Sequence, residues 1–186
     1  MLLQFDLPAG LSAEKFIAKL SNKACTQLVS RQYSLKIYYD SFDWRLYKNG
    51  VTCEFNRSKA ASTLLLKNLD NDLVIVSTEI KEVPAFSHQF QSKEICSTLS
   101  PLLEMRALLP VCTLDYEVYH LNILNKDEKT VLRLSLEEHD LLSNCVTLQA
   151  IRGYDKAAEH LIEILTTKLG LTPTHKPLLL SALTHI

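Results

Sequence analysis

Three groups of residues in this 186-residue chain have types and spacings that could do chemistry. Glu137-Glu138-His139-Asp140 sets carboxylates beside an imidazole, the ingredients of a metal site or of acid–base work. On a strand, successive side chains alternate faces, so at most Glu137 and His139 share one. Because the run sits where a strand meets a loop, it reads as solvated charge. Ser12-Ala13-Glu14-Lys15 has the Ser-x-x-Lys spacing of some acyl enzymes. Ahead of the apolar positions Phe16, Ile17 and Leu20 it reads instead as a helix cap. The third group is the polar phase of two alternating runs. Thr52, Glu54 and Asn56 interleave with Val51, Cys53 and Phe55, and Arg133, Ser135 and Glu137 interleave with Leu132, Leu134 and Leu136. Such alternation puts charges on one face of a sheet and aliphatic side chains on the other.

Composition narrows the partners. Twenty Lys and Arg against twenty-one Asp and Glu leave a net charge of -1. No global field would draw in nucleic acid or an anionic membrane, and neither is expected. Five cysteines (Cys25, Cys53, Cys96, Cys112, Cys145) are scattered without a Cys-x-x-Cys pair. They read as reduced, mostly buried thiols of a cytoplasmic protein, not as a disulfide or zinc framework. The six histidines are dispersed, with no two spaced for one helix face. No apolar run reaches membrane-spanning length, and the start of the chain lacks the pattern of a secretory leader.

The elements that must position these residues are mostly strands. Alternation and turn residues predict strands over 2–7, 26–39, 51–57, 62–69, 73–80, 111–124, 130–138 and 145–151. A helix follows Ser12, one or two helices lie between 86 and 108 with an interruption at Pro101, and another runs from Tyr154 to Leu169. Ala157, Ala158, Leu161, Ile162 and Leu165 form the apolar stripe of the last, and Gly170 stops it. Asn125-Lys126-Asp127-Glu128 is a turn. The tail from Leu171 carries Pro173, Pro177 and an apolar patch, Leu178-Leu179-Leu180.

Between the second and third strands lies Tyr38-Tyr39-Asp40-Ser41-Phe42-Asp43-Trp44-Arg45-Leu46-Tyr47-Lys48-Asn49-Gly50. Asp40 and Ser41 are placed to cap a short helical turn, and Asn49-Gly50 to end it with positive φ. This block resembles the strand–turn–strand signature of CYTH domains, the triphosphate tunnel metalloenzymes. A second block agrees: Arg133-Leu134-Ser135-Leu136-Glu137-Glu138-His139, then Leu148-Gln149-Ala150-Ile151-Arg152-Gly153-Tyr154-Asp155-Lys156-Ala157-Ala158. Both are similar to the CYTH domains that precede helical CHAD domains. The resemblance implies a mainly β (α+β) fold: an eight-stranded antiparallel tunnel barrel with external helices and a polar-lined interior. It covers 1–171 as one domain, and 172–186 looks like the linker toward a CHAD domain. The chain is then either a standalone domain or part of a CYTH–CHAD protein.

The same resemblance says where the chemistry should be, and the positions read differently here. Triphosphate hydrolysis in the family uses carboxylates that hold magnesium or manganese and a ring of cations around the phosphates. The opening Glu-x-Glu-x-Lys would put its last two residues at Leu2 and Gln4, and the closing Glu-x-Glu falls on Thr147 and Gln149. The Arg pair of the third strand falls on Glu54 and Asn56, and an inward Arg of the sixth on Tyr116. Asp6 shares the register of the opening signature. The remaining tunnel candidates are Lys36, Lys67 and Arg133, opposed by Glu54, Glu137 and Glu79. Self-pairing of these opposite charges is expected, since an uncompensated buried charge is costly. No residue is assigned to catalysis or to a metal, and no cofactor is predicted. The expected function is a degenerate, non-catalytic module that binds a triphosphate or polyphosphate anion or a partner such as a CHAD-type helical domain. The alternative is a triphosphatase or polyphosphatase that uses Mg or Mn through non-standard tunnel residues.

Overall fold

In a computed structural model, residues 2–174 and 178–184 are described. The strands are β1 (Leu2–Asp6), β2 (Thr26–Asp40), β3 (Val51–Arg57), β4 (Ser62–Asn68), β5 (Val74–Glu79), β6 (Leu109–Leu124), β7 (Thr130–His139), β8 (Cys145–Ala150) and β9 (Thr172–Thr174). The helices are α1 (Ala13–Ser21), α2 (Arg45–Lys48), α3 (Lys93–Leu103), α4 (Asp155–Glu163) and α5 (Leu178–Leu183). The strands form one sheet in the order β5-β4-β3-β2-β6-β7-β8-β1-β9. The mainly β class and the position of the eight expected strands hold, and two details differ. A ninth strand, Thr172–Thr174, pairs with β1 just beyond the 1–171 span. Its Pro173 cannot donate to a further neighbour, which suits an edge. Among the described residues no pairing joins β5 to β9, so the strand order has two ends.

Tertiary contacts divide the chain into two compact units, each discontinuous in sequence. The first comprises residues 1–33 and 116–174, the second 34–115 and 175–186. Long β2 and β6 each run from one unit into the other.

In the first unit, α1 and α4 cover the aliphatic face of β7, β8 and β1. Phe16 and Leu20 of α1 and Ala158, Leu161 and Leu165 of α4 (or just beyond its end) join Leu132, Leu134, Leu136, Val146, Leu148 and Phe5 in one core. Ser12 Oγ accepts from Lys15 N at 3.4 Å, so the Ser-x-x-Lys run is a cap, as its spacing suggests. Glu138 Oε1 takes the Ala13 N–H at 2.8 Å, satisfying another donor of the same turn. The expected helix 154–169 is α-helical only to Glu163 and then widens into a π turn, Ile164–Lys168. Gly170, at φ 71, ends it.

In the second unit, α3 lays Ile95, Leu99 and Leu103 on Cys53, Phe55, Leu64, Leu66 and Val76. The break expected at Pro101 falls elsewhere: Pro101 is carried in the last turn of α3, and a 3-10 turn, Ser87–Gln89, precedes the helix. Lacking an N–H, Pro101 cannot donate to the Ser97 carbonyl, so this turn carries one backbone hydrogen bond fewer. The apolar tail patch forms α5. Lys176 and Pro177, between β9 and α5, lie outside the described residues.

Candidate functional site

The turn that follows β2 builds its own geometry. Asp40 is buried, and its Oδ1 accepts from Ser41 N (2.7 Å) and Leu46 N (2.9 Å), its Oδ2 from Tyr47 N (2.9 Å). Ser41 Oγ accepts from Arg45 N at 3.0 Å and donates to Asp43 Oδ1 at 2.8 Å. The capping roles expected of Asp40 and Ser41 are therefore filled. Positive φ appears at Gly50 (69°) and at Trp44 (59°), whereas Asn49 is at -99°. Trp44, the residue just before α2, carries the left-handed backbone, and Asn49 does not. Asp43 then binds Arg106 Nε (2.7 Å) and Arg45 Nε (3.1 Å). Partial desolvation alone would raise its pKa; hydrogen bonds from Ser41, Arg45 and Arg106 outweigh it and hold Asp43 at about 2.

The polar face of the second unit brings together three of the five sequence-predicted residues. Glu54 lies 3.8 Å from Lys36 Nζ through Oε1 and 3.1 Å from Lys67 Nζ through Oε2. Asn56 Nδ2 donates to Glu54 Oε1 at 2.6 Å. Lys67 also reaches Asp72 Oδ2 at 3.4 Å. Glu54 is only 2% exposed and Lys36 7%. Burial pushes the Glu54 carboxyl up, but Lys36, Lys67 and the hydrogen bonds win and hold it below its ordinary value. Lys36, Lys67, Glu54 and Asp72 thus bring opposite charges together on this face. Asn56 Oδ1 and Thr52 Oγ1 are buried with no hydrogen-bond partner among the described residues. Glu79 stands at the β5 end of the row Lys36–Asn56–Thr63–Glu79 and is exposed. It borders a cleft of about 870 Å³ lined also by Ser62, Lys81, Phe90 and Ser92. That cleft does not include Lys36, Glu54 or Lys67.

Arg133 and Glu137 belong to the first unit. Arg133 is exposed in the row Asn122–Arg133–Gln149, on the face opposite the α1 and α4 core. Glu137 meets His139, with Oε2 3.2 Å from Nε2, and Cys145, with Sγ 4.0 Å away. The pair was expected to share a face and does. It is not solvated charge, however: His139 is 7% exposed, because its ring stacks on Tyr116 at a centroid distance of 5.0 Å. Sequence reasoning missed Asp72 as a partner of Lys67. The β-bulge between Leu66 and Lys67, which brings the Asp70-Asn71-Asp72 turn close, has no sequence signal of its own. It also missed Cys145 beside Glu137, which hairpin register could have found, since the two are cross-strand partners.

The positions where the resemblance puts metal-binding carboxylates (Leu2, Thr147, Gln149) and the opening lysine (Gln4) are neighbours here. Leu2 pairs with Gln149 and Gln4 with Thr147 across β1 and β8. The register of two separate motifs therefore converges on one spot, and none of the four side chains is a carboxylate. Magnesium and manganese prefer charged oxygen ligands, so these residues do not fit either ion.

No family model matches the chain. No curated protein matches it either. Solved structures do. A candidate adenylyl cyclase of Hippeastrum with a dominant triphosphatase activity superposes at TM-score 0.66 and 11% identity, over 98% of this chain and 94% of that one. A candidate adenylate cyclase of Bacillus halodurans gives 0.62 and 16%, over 96% and 94%. Another, from Vibrio parahaemolyticus, gives 0.56 and 11%, over 95% and 93%. The chain has the fold of these CYTH-type triphosphatase and adenylate-cyclase-like proteins. Among the described residues, no helix is long and apolar enough to cross a membrane.

Proposed function

We propose that this CYTH-fold chain is a non-catalytic module that binds a triphosphate, a polyphosphate or the acidic surface of a partner. The observation that carries the reading is the cross-strand set Leu2–Gln149 and Gln4–Thr147, in which Leu2, Thr147 and Gln149 occupy the carboxylate positions, and Gln4 the lysine position, implied by the sequence resemblance. Without ligands for a divalent cation there, nothing bridges phosphate oxygens or offsets the charge that develops in phosphoryl transfer. Glu54, where the family carries an arginine, turns Lys36 and Lys67 inward on a neutral network. Residual binding would draw on those two lysines in the second unit and, separately, on Arg133 in the first. The unpartnered Thr52 hydroxyl can donate to a phosphate oxygen, whereas the unpartnered Asn56 Oδ1 is an acceptor and calls for a donor on the guest.

The test is phosphate release from inorganic triphosphate, ATP and thiamine triphosphate with magnesium or manganese present. The rate should stay at background, and calorimetry should detect no saturable binding of either ion at sub-millimolar concentration. Tripolyphosphate should bind weakly, and less well after Lys67→Ala. Metal-dependent turnover that Lys67→Ala or Arg133→Ala abolishes would overturn the proposal and establish the triphosphatase alternative.

A further inference from the structure

We infer that Glu137, His139 and Cys145 form a site for a transition-metal dication of the zinc class, separate from the carboxylate positions discussed above. One oxygen, one ring nitrogen and one sulfur, each from a different side chain, all lie within 4.8 Å of one another. In a tetrahedral zinc site, ligand atoms at about 2.0–2.3 Å from the ion sit about 3.3–3.8 Å apart. The Glu137–His139 separation of 3.2 Å and the Glu137–Cys145 separation of 4.0 Å bracket that range. Side-chain adjustments of less than about 1 Å close the rest.

The backbone holds the three in place before any ion arrives. Glu137 and Cys145 face each other across β7 and β8, and His139 follows Glu137 by one strand period on the same face. The five-residue connection is pinned by Asn144, whose Oδ1 accepts from His139 N at 3.0 Å and whose Nδ2 donates to Leu11 O at 3.2 Å. Tyr116 fixes the ring plane by stacking. A short hairpin that presents three ligands loses little further chain entropy on binding.

Chemistry selects the ion. A thiolate and an imidazole suit zinc, cobalt(II) or copper, whereas magnesium and manganese favour oxygen. Binding converts the Cys145 thiol to a thiolate, and its proton passes to solvent. His139 Nδ1 is buried with no hydrogen-bond partner among the described residues, so the cluster's polar groups are not fully satisfied by the protein. The Glu137 side chain is 22% exposed, which leaves a way in for the ion. Asp6, opposite Cys145 in β1, stands in the same cross-strand row and adds negative character. With three protein ligands, one coordination position is left for water or a guest.

The test titrates the full, metal-stripped chain with Zn²⁺ by calorimetry and with Co²⁺ by absorbance, in excess magnesium. Expected are one equivalent bound with a Kd of about 1 μM or tighter, proton release, and a cobalt spectrum with thiolate charge transfer and tetrahedral visible bands. Cys145→Ser should abolish the charge-transfer band, and Glu137→Gln should weaken zinc by more than about 10-fold. Cys25→Ser, at an exposed thiol, should change neither. Circular dichroism checks that each variant is folded, and Glu137→Gln, at the most accessible ligand, is the variant least exposed to misfolding. Three results would overturn the inference: no saturable zinc binding by the unmodified chain, unchanged affinity in folded Glu137→Gln, or a cobalt spectrum without a thiolate signature. None of these outcomes depends on whether triphosphates are hydrolysed.

Discussion

On the polar face of the second unit, Lys36, Thr52 and Glu54 are nearly sealed from solvent, whereas on that of the first Arg133 and Gln149 are exposed. Both units bury the aliphatic phase of their strands under helices, with Leu132, Leu134 and Leu136 in one and Cys53, Phe55, Leu64 and Leu66 in the other. The difference lies in what burial demands. A charge removed from water must bring its counter-charge, so Glu54 is held by two lysines and an amide. Arg133, left in water, needs none. The sealed face therefore pairs its cations internally, and the open face leaves its arginine in solvent.

The largest effect should come from breaking the sealed network. Glu54→Gln removes the buried carboxylate that Lys36 and Lys67 share, leaving Lys67 its contact with Asp72, and should cost about 3–5 kcal/mol, read as a lower urea midpoint with unchanged slope. The pH profile sharpens the point. Glu54's folded pKa lies below its ordinary 4.5, so its contribution is present above about that pH. It is lost as pH falls through the folded value. Glu54→Gln should flatten that part of the acid limb; an unchanged limb would mean that the pairing stabilises nothing. A smaller loss, about 2 kcal/mol, is expected for Asp40→Ala, which strips three backbone N–H groups of a buried acceptor. Least of all, Arg133→Ala in the first unit should shift stability by no more than about 0.5 kcal/mol while reducing tripolyphosphate affinity. A large stability loss there would show that the open face is also internally paired.

Local rules made much of this legible. Period-two alternation identified β3 and β7 and sorted Cys53 from Glu54 and Leu134 from Arg133. Strand periodicity is a backbone property that no distant contact is needed to impose. The caps at Ser12, Asp40 and Ser41 and the stop at Gly170 were equally readable, because each satisfies a donor or a φ within a few residues. The motif register aligned Leu2 and Gln4 with one signature and Thr147 and Gln149 with another, and the β1–β8 pairing set the two side by side. The tertiary structure decided the rest. Thr172–Thr174 forms a strand by pairing with the edge of β1, and α3 runs through Pro101 while the segment's irregular stretch lies earlier, before Ser92. Glu137 and His139 were moved out of water by Tyr116 and met by Cys145, and Lys67 gained Asp72 through a bulge. These outcomes depend on which side chains arrive from elsewhere in the chain. Burial and electrostatics at a point are sums over spatial neighbours, and a linear pattern names only the neighbours along the chain.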